Sequence, residues 1–127
     1  MTTIEVLLAG RRVLVVEDDS HVAEALVTVL KAYGVEIVGP AGTATDALAL
    51  IFEGERIDGA VLDVSLHGEF VYPVAEVLGA KGVPFVFTTG YDERSIASNF
   101  ADIPCLQKPV AIERLAQALF GSPRLHE

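Results

Sequence analysis

The sequence predicts a doubly wound α/β domain, with five parallel strands in one sheet and helices on both faces. Three observations carry that expectation. Short, uniformly apolar runs recur along the chain, helix-period patterns lie between them, and acidic, hydroxyl and lysine residues follow the runs rather than precede them. Strands buried on both faces read as continuous apolar runs, whereas half-exposed antiparallel strands alternate. Strict alternation of strand and helix requires right-handed crossovers, which lay helices over both faces of a parallel sheet.

The strands are expected at residues 13–16, 35–38, 60–62, 85–87 and 105–106. A first helix is read from Val22, Ala25, Leu26, Val29, Leu30 and Tyr33, spaced by three and four residues, with Asp19 as N-cap and Gly34 as stop. Thr43 caps a second pattern of Ala47, Leu48, Ile51 and Phe52, and a third holds Val74, Val77 and Leu78, opened by Pro73 and closed by Gly82. Residues 92–99 are expected to form a short fourth helix, capped by Asp92 but with a weak apolar stripe. Ile112, Leu115, Ala116 and Leu119 mark the last helix, stopped by Gly121-Ser122-Pro123. The expected strand order is 2-1-3-4-5, which puts the switch point, and any ligand, at the carboxyl ends of the first and third strands.

Length and composition bound the function. With 127 residues and a hydrophobic share of 51%, one compact domain with a large core is expected over residues 1–127, its centre at about 12–120. Mean hydropathy is +0.45, yet no run approaches the roughly 18 uncharged apolar residues of a membrane span. The net charge of -9, from 18 acidic and 9 basic residues, opposes direct binding to nucleic acid or an anionic membrane. Cys105 is the single cysteine, so neither an internal disulfide nor a Cys-cluster metal site is available. Residues 1–10 carry Glu5 where an export signal needs positive charge, and the expected address is the cytoplasm. Residues 121–127 are too few for an effector domain.

Glu17, Asp18 and Asp19 follow the first strand, Asp63 the third, Thr88-Thr89-Gly90 the fourth and Lys108-Pro109 the fifth. Adjacent first and third strands would bring Glu17, Asp18 and Asp63 into one crevice. Two carboxylates about 4 Å apart repel by roughly 4 kcal/mol at an effective dielectric near 20. A third makes the cluster costly unless raised pKa values or a bound cation relieve it. Hard oxygen ligands without His or Cys beside them suit Mg²⁺. A lysine ammonium and a hydroxyl complete a pocket for an oxyanion. Singly, Asp63 could start a turn, Thr89 could be a satisfied turn hydroxyl and Lys108 a solvated lysine. His21 and His126 read as surface residues and His67 as part of a loop near the crevice. Four polar sites at the carboxyl ends of four different strands are what these bland readings leave unexplained.

On these residues the chain resembles bacterial response-regulator receiver domains, whose fold is flavodoxin-like. Residues 13–19 resemble the first strand and acidic pair of that family, 62–66 its phosphoacceptor strand, Thr89-Gly90 its switch hydroxyl and small residue, and Lys108-Pro109 its lysine and cis proline. Residues 84–91, Pro-Phe-Val-Phe-Thr-Thr-Gly-Tyr, are similar to the PFxFATGY signature of stand-alone "FAT GUY" regulators, with Thr88 in place of alanine. The resemblance implies a phosphorelay protein that accepts a phosphoryl group on Asp63 from a histidine kinase or histidine phosphotransfer protein and signals by protein contacts, as a monomer or weak dimer. It implies Mg²⁺ bound by Asp18, Asp63 and the Ser65 carbonyl, with Glu17 acting through water. It further implies a signalling domain, not an enzyme with a separate substrate, that assists its own Mg²⁺-dependent phosphotransfer and dephosphorylation.

Two positions depart from the family pattern: Cys105 stands where many receivers carry an aromatic switch residue, and His67-Gly68-Glu69 replaces a proline-containing turn. Tyr91, two residues after Thr89, is therefore expected to serve as the aromatic reporter, the alternative being a ring that simply packs over the following helix. A flavodoxin-like electron carrier would need to cradle phosphate in the Glu-Asp-Asp loop, which would repel it. An aspartate-based phosphohydrolase would want a second acid where Ser65 stands. A degenerate receiver acting only as a binding module sits poorly with the complete set Glu17, Asp18, Asp63, Thr89 and Lys108.

Overall fold

Every expected strand forms, because each apolar run can be buried only by pairing with another. The computed structural model describes residues 2–90 and 96–121. In chain order these comprise α1 (Thr3–Leu8), β1 (Arg12–Val16), α2 (Ser20–Ala32), β2 (Glu36–Ala41), α3 (Ala44–Phe52), β3 (Gly59–Asp63), β4 (Ser65–Leu66), β5 (Glu69–Phe70), α4 (Tyr72–Ala80), β6 (Phe85–Thr89), a 3₁₀ turn (Ser98–Phe100), β7 (Cys105–Gln107) and α5 (Ile112–Phe120). The main sheet runs β2-β1-β3-β6-β7 and is parallel throughout, which is the expected order 2-1-3-4-5 with a small hairpin, β4-β5, inserted after the third strand.

The sheet separates two cores. On one face Leu14, Val16, Leu62 and Phe87 meet Ala47, Ile51, Val74 and Leu78 of α3 and α4. On the other Val13, Val15, Val61 and Val86 meet Leu30, Leu115, Ala116 and Leu119 of α2 and α5. Neighbouring residues of one strand thus enter opposite cores, as the two-residue period of a strand requires. That explains why the strands read as unbroken apolar runs.

The caps act as expected: Asp19 accepts the His21 and Val22 amides at 2.9 and 3.2 Å, and the Thr43 hydroxyl accepts the Asp46 amide at 3.0 Å. Gly34 and Gly82 end α2 and α4 in the left-handed region, with φ of 87° and 72°. Two helix stripes are narrower than expected. Ala25 and Val29 of α2 and Phe52 of α3 are exposed, because only one margin of each stripe faces the sheet. Of the segment expected as a fourth helix, residues 96–99 are described; Ser98 and Asn99 open a 3₁₀ turn, Ser98–Phe100, before which the Ala97 amide donates to the Tyr72 hydroxyl at 2.8 Å, and Phe100 is buried in the core. Tyr91 and Asp92, like His126 and Ser122-Pro123, lie outside the described residues.

Helix α1 was not anticipated. Thr2 and Glu5 form a reciprocal capping box, with Thr2 Oγ1 accepting the Glu5 amide and Glu5 Oε1 accepting the Thr2 amide. The helix lies against α5 and buries Leu8 completely, a contribution of about 1.5–3 kcal/mol by area. It closes the amino-terminal edge of the sheet and leaves the carboxyl edge open.

Candidate functional site

The carboxyl edge holds all four buried polar residues of the described chain: Glu17, Asp63, Thr88 and Thr89. Glu17 and Asp18 sit where the chain turns from β1 into α2, and Asp63 ends β3, the strand paired with β1. Carboxylate oxygens of Glu17, Asp18 and Asp63 come within 4.8 Å of one another. Lys108, carried by the turn after β7, reaches across: its ammonium donates to Glu17 Oε1 at 2.8 Å and to Asp63 Oδ2 at 3.1 Å. The Lys108-Pro109 peptide is cis, as expected. Thr88 stands opposite Asp63 in the β3–β6 register, and the carbonyl of Thr89, buried beside it, accepts the Lys108 amide at 2.9 Å. Ser65 opens β4, and its amide donates to Asp63 Oδ1 at 3.3 Å.

Three carboxylates against one ammonium leave the crevice with excess negative charge. Burial pushes the Glu17 carboxyl up to about 7, opposed by the hydrogen bonds from Lys108 and the Asp19 amide and reinforced by Asp63. Burial also works against the charged form of Asp18, but the His67 amide and imidazole outweigh it and hold this carboxyl below its usual range. For Lys108, burial disfavours the charge while Glu17 and Asp63 favour it, and the net effect is upward. A site of three clustered carboxylates, in which burial raises Glu17 and the His67 amide and imidazole lower Asp18, fits a hard divalent cation, whose charge would favour the ionised carboxylates.

Two features escaped the sequence reading. In the hairpin β4-β5, Ser65 pairs with Phe70 and Leu66 with Glu69 around a two-residue turn, His67-Gly68. Both turn residues have positive φ, 48° and 87°, as a primed hairpin turn requires. The turn brings the His67 amide to 2.7 Å from Asp18 Oδ2. Behind the hairpin, Phe70, Tyr72 and Phe100 form a stack with centroid separations of 5.4 and 5.2 Å, joining the loop after Asp63 to the 3₁₀ turn. The aromatic spacing was visible in the sequence, but its coincidence in space was not.

On the outer side of the crevice a cavity of about 540 Å³ lies between α2 and the start of α5. Val22, Ala25, Leu26, Val29, Val110 and Ile112 line it, with Glu17 and Lys108 at one end. The exposed part of the α2 stripe therefore faces a groove that opens onto the site.

Comparison with known proteins is consistent with this geometry. A family model described as response regulator receiver domain matches residues 13–120. The solution structure of SdrG from Sphingomonas melonis Fr1 is 43% identical, with a TM-score of 0.76 over 86% of this chain and 92% of that one. The response regulator PhyR from Brucella abortus is 27% identical, with a TM-score of 0.72 over 91% of this chain and 50% of that one. A curated relative, the transcriptional regulatory protein PdtaR of Mycobacterium tuberculosis, is 29% identical over 113 residues. The match covers 86% of this chain and 55% of PdtaR, so the chain spans little more than half the length of that relative. Among the described residues, no helix is long and apolar enough to cross a membrane.

Proposed function

Because this chain belongs to the response regulator receiver family of two-component signalling, we propose that Asp63 is its phosphoacceptor and that residues 1–127 act as one receiver unit. The observation that carries this reading is the Lys108 ammonium held between Glu17 and Asp63 at the end of β3. The donor is a phosphohistidine on a histidine kinase or phosphotransfer protein. Its P–N bond breaks as a P–O bond forms to an Asp63 carboxylate oxygen, giving an acyl phosphate and an imidazole that takes up a proton.

Lys108 neutralises the anionic group as it arrives, and the Ser65 amide orients the carboxylate that receives it. Thr89 supplies a hydroxyl to a phosphoryl oxygen once the group is in place. Asp18, Asp63, Glu17 and the Ser65 carbonyl would hold Mg²⁺. The bound ion supplies the positive charge that lets a phosphoryl group approach three carboxylates. The groove along Val22, Leu26 and Val29 ends at Glu17 and Lys108, which suits it to seat the donor protein with its histidine over Asp63. The domain signals by protein contacts, with Thr89 and Tyr91 as switch residues of a PFxFATGY-type regulator. It works in the cytoplasm, as a monomer or weak dimer, without contacting nucleic acid or membrane itself.

Incubation with acetyl phosphate and Mg²⁺, read by intact mass, tests the assignment. Wild type should gain one phosphoryl group and Asp63→Asn none. An undiminished adduct in the mutant places the acceptor elsewhere.

A further inference from the structure

Tyr72, at the start of α4, touches both the hairpin after Asp63 and the segment after β6. Its ring stacks on Phe70 of the hairpin and on Phe100 of the 3₁₀ turn, with interplanar angles of 16° and 13°, and meets Phe87 of β6 edge-to-face at 5.8 Å. A phenylalanine would pack as well. The hydroxyl adds a bond that packing does not need, accepting the Ala97 amide at 2.8 Å from 25 residues away. The hairpin in turn is tied to the acidic crevice at two carboxylates: the Ser65 amide donates to Asp63 Oδ1 at 3.3 Å and the His67 amide to Asp18 Oδ2 at 2.7 Å. Ser65 pairs directly with Phe70 across the hairpin, and Leu66 and Val71 are buried, so these residues form a braced unit.

We propose that Tyr72 is a positioning residue of the signalling step: it links the hairpin to residues 96–100, so that events at Asp63 and Asp18 reach the backbone at Ala97 through Phe70 and the Tyr72 ring. The chemistry acts on the two atoms that hold the hairpin. A carboxylate converted to an acyl phosphate loses its ionic charge, which weakens the bond it accepts from the Ser65 amide, and a cation on Asp18 competes with the His67 amide for the same carboxylate. The segment held at the far end follows β6, the strand that carries Thr89. The hydroxyl and the stack thus join the two loops that flank the phosphoryl site. The inference rests on Asp63 as phosphoacceptor, and the test separates the two.

The full chain is incubated with Mg²⁺, with and without acetyl phosphate; intact mass reads phosphoryl uptake and amide exchange followed by NMR reads Ala97. In wild type, uptake should change the exchange rate of Ala97. Tyr72→Phe keeps the ring and removes the hydroxyl: without acetyl phosphate its Ala97 amide should exchange about fivefold faster, the factor for one ordinary hydrogen bond, and acetyl phosphate should no longer alter that rate although uptake is retained. Phe70 is 54% exposed, so Phe70→Ala should fold. It should keep the slow exchange of Ala97 without acetyl phosphate and lose the response to it, whereas a purely structural Tyr72 would leave that response intact. Uptake in wild type with no change at Ala97 overturns the proposal and leaves the phosphoacceptor standing. So does a wild-type response in Phe70→Ala, or unaltered Ala97 exchange in Tyr72→Phe. If wild type takes up no phosphoryl group, or Asp63→Asn takes up as much, the phosphoacceptor assignment falls and the proposal with it.

Discussion

The two edges of the sheet are built from the same five strands and do opposite things. At the amino edge α1 lies against α5, Leu8 is fully buried, and Phe120 fills the space above Gly59, where an added Cβ would sit 2.8 Å from its ring. The Arg11 guanidinium caps that ring at 4.4 Å. Those contacts remove apolar surface from water, and beside them Arg12 pairs with Glu36 at 2.7 Å and with Glu55, and Arg56 with Asp58 at 3.1 Å, so each of these charges has an opposite partner near the surface. At the carboxyl edge the chain buries Glu17 and Asp63 next to Asp18, with one ammonium among them. The first edge gains stability from folding, while the second gives up some of it to keep like charges close together. Stability and chemistry are thus assigned to opposite ends of the same strands.

The comparison can be broken most strongly at the sealed edge. Leu8→Ala should cost about 2–5 kcal/mol in denaturant unfolding, as for other fully buried leucines, and leave phosphate uptake unchanged below its lowered melting temperature. A loss of uptake in the folded mutant would mean that the two edges are coupled.

At the open edge the sign should reverse. Glu17 has a folded pKa of about 7 against an ordinary 4.5, so between those values the folded protein binds more protons than the unfolded chain. Stability should therefore fall as pH rises from about 4.5 to about 7, and stay reduced above that. Glu17→Gln should flatten this slope and raise stability at pH 8 by about 1–3 kcal/mol without Mg²⁺. Adding Mg²⁺ should narrow the gap between wild type and mutant. Thermal melts across pH 4–8 check both, and a mutant less stable than wild type at pH 8 would mean that Lys108 outweighs the repulsion.

A smaller effect sharpens the packing side. Gly59→Ala should cost about 1–3 kcal/mol through overpacking, and Phe120→Leu should relieve part of that cost. Additive effects in the double mutant would show that the ring and the new methyl do not meet. The smallest change in stability is expected at the groove. Val29 is 41% exposed, and Val29→Asp should shift stability by no more than about 0.5 kcal/mol. It should nevertheless slow phosphotransfer from a phosphohistidine protein while leaving uptake from acetyl phosphate unaltered. Equal slowing with both donors would remove the groove from partner binding.

Much of this architecture was legible because it follows from local rules. Asp19 and Thr43 could be recognised as caps by position alone, and Gly34 and Gly82 as stops, since each satisfies or ends its own helix. Where a residue's role depends on partners far along the chain, the sequence was less informative. Val29 and Phe52 continue a helical period but project past the sheet, which periodicity does not reveal. The Thr2–Glu5 capping box was present to be read, yet its helix gains its stability from α5, more than a hundred residues away.

The candidate site divides the same way. By itself the sequence determined which residues end up at the carboxyl edge, because strand order follows from alternation and handedness, and residues after parallel strands must lie on one side of the sheet. Only the tertiary structure decided what those residues do to one another. The reach of Lys108 between Glu17 and Asp63, the raised pKa of Glu17 and the approach of His67 to Asp18 depend on separations of a few ångströms between segments distant in the chain. Topology is set by patterns repeated over many residues and tolerates local error, whereas electrostatic coupling varies inversely with distance and with the dielectric around it. Those two quantities exist only once the chain has closed around the site.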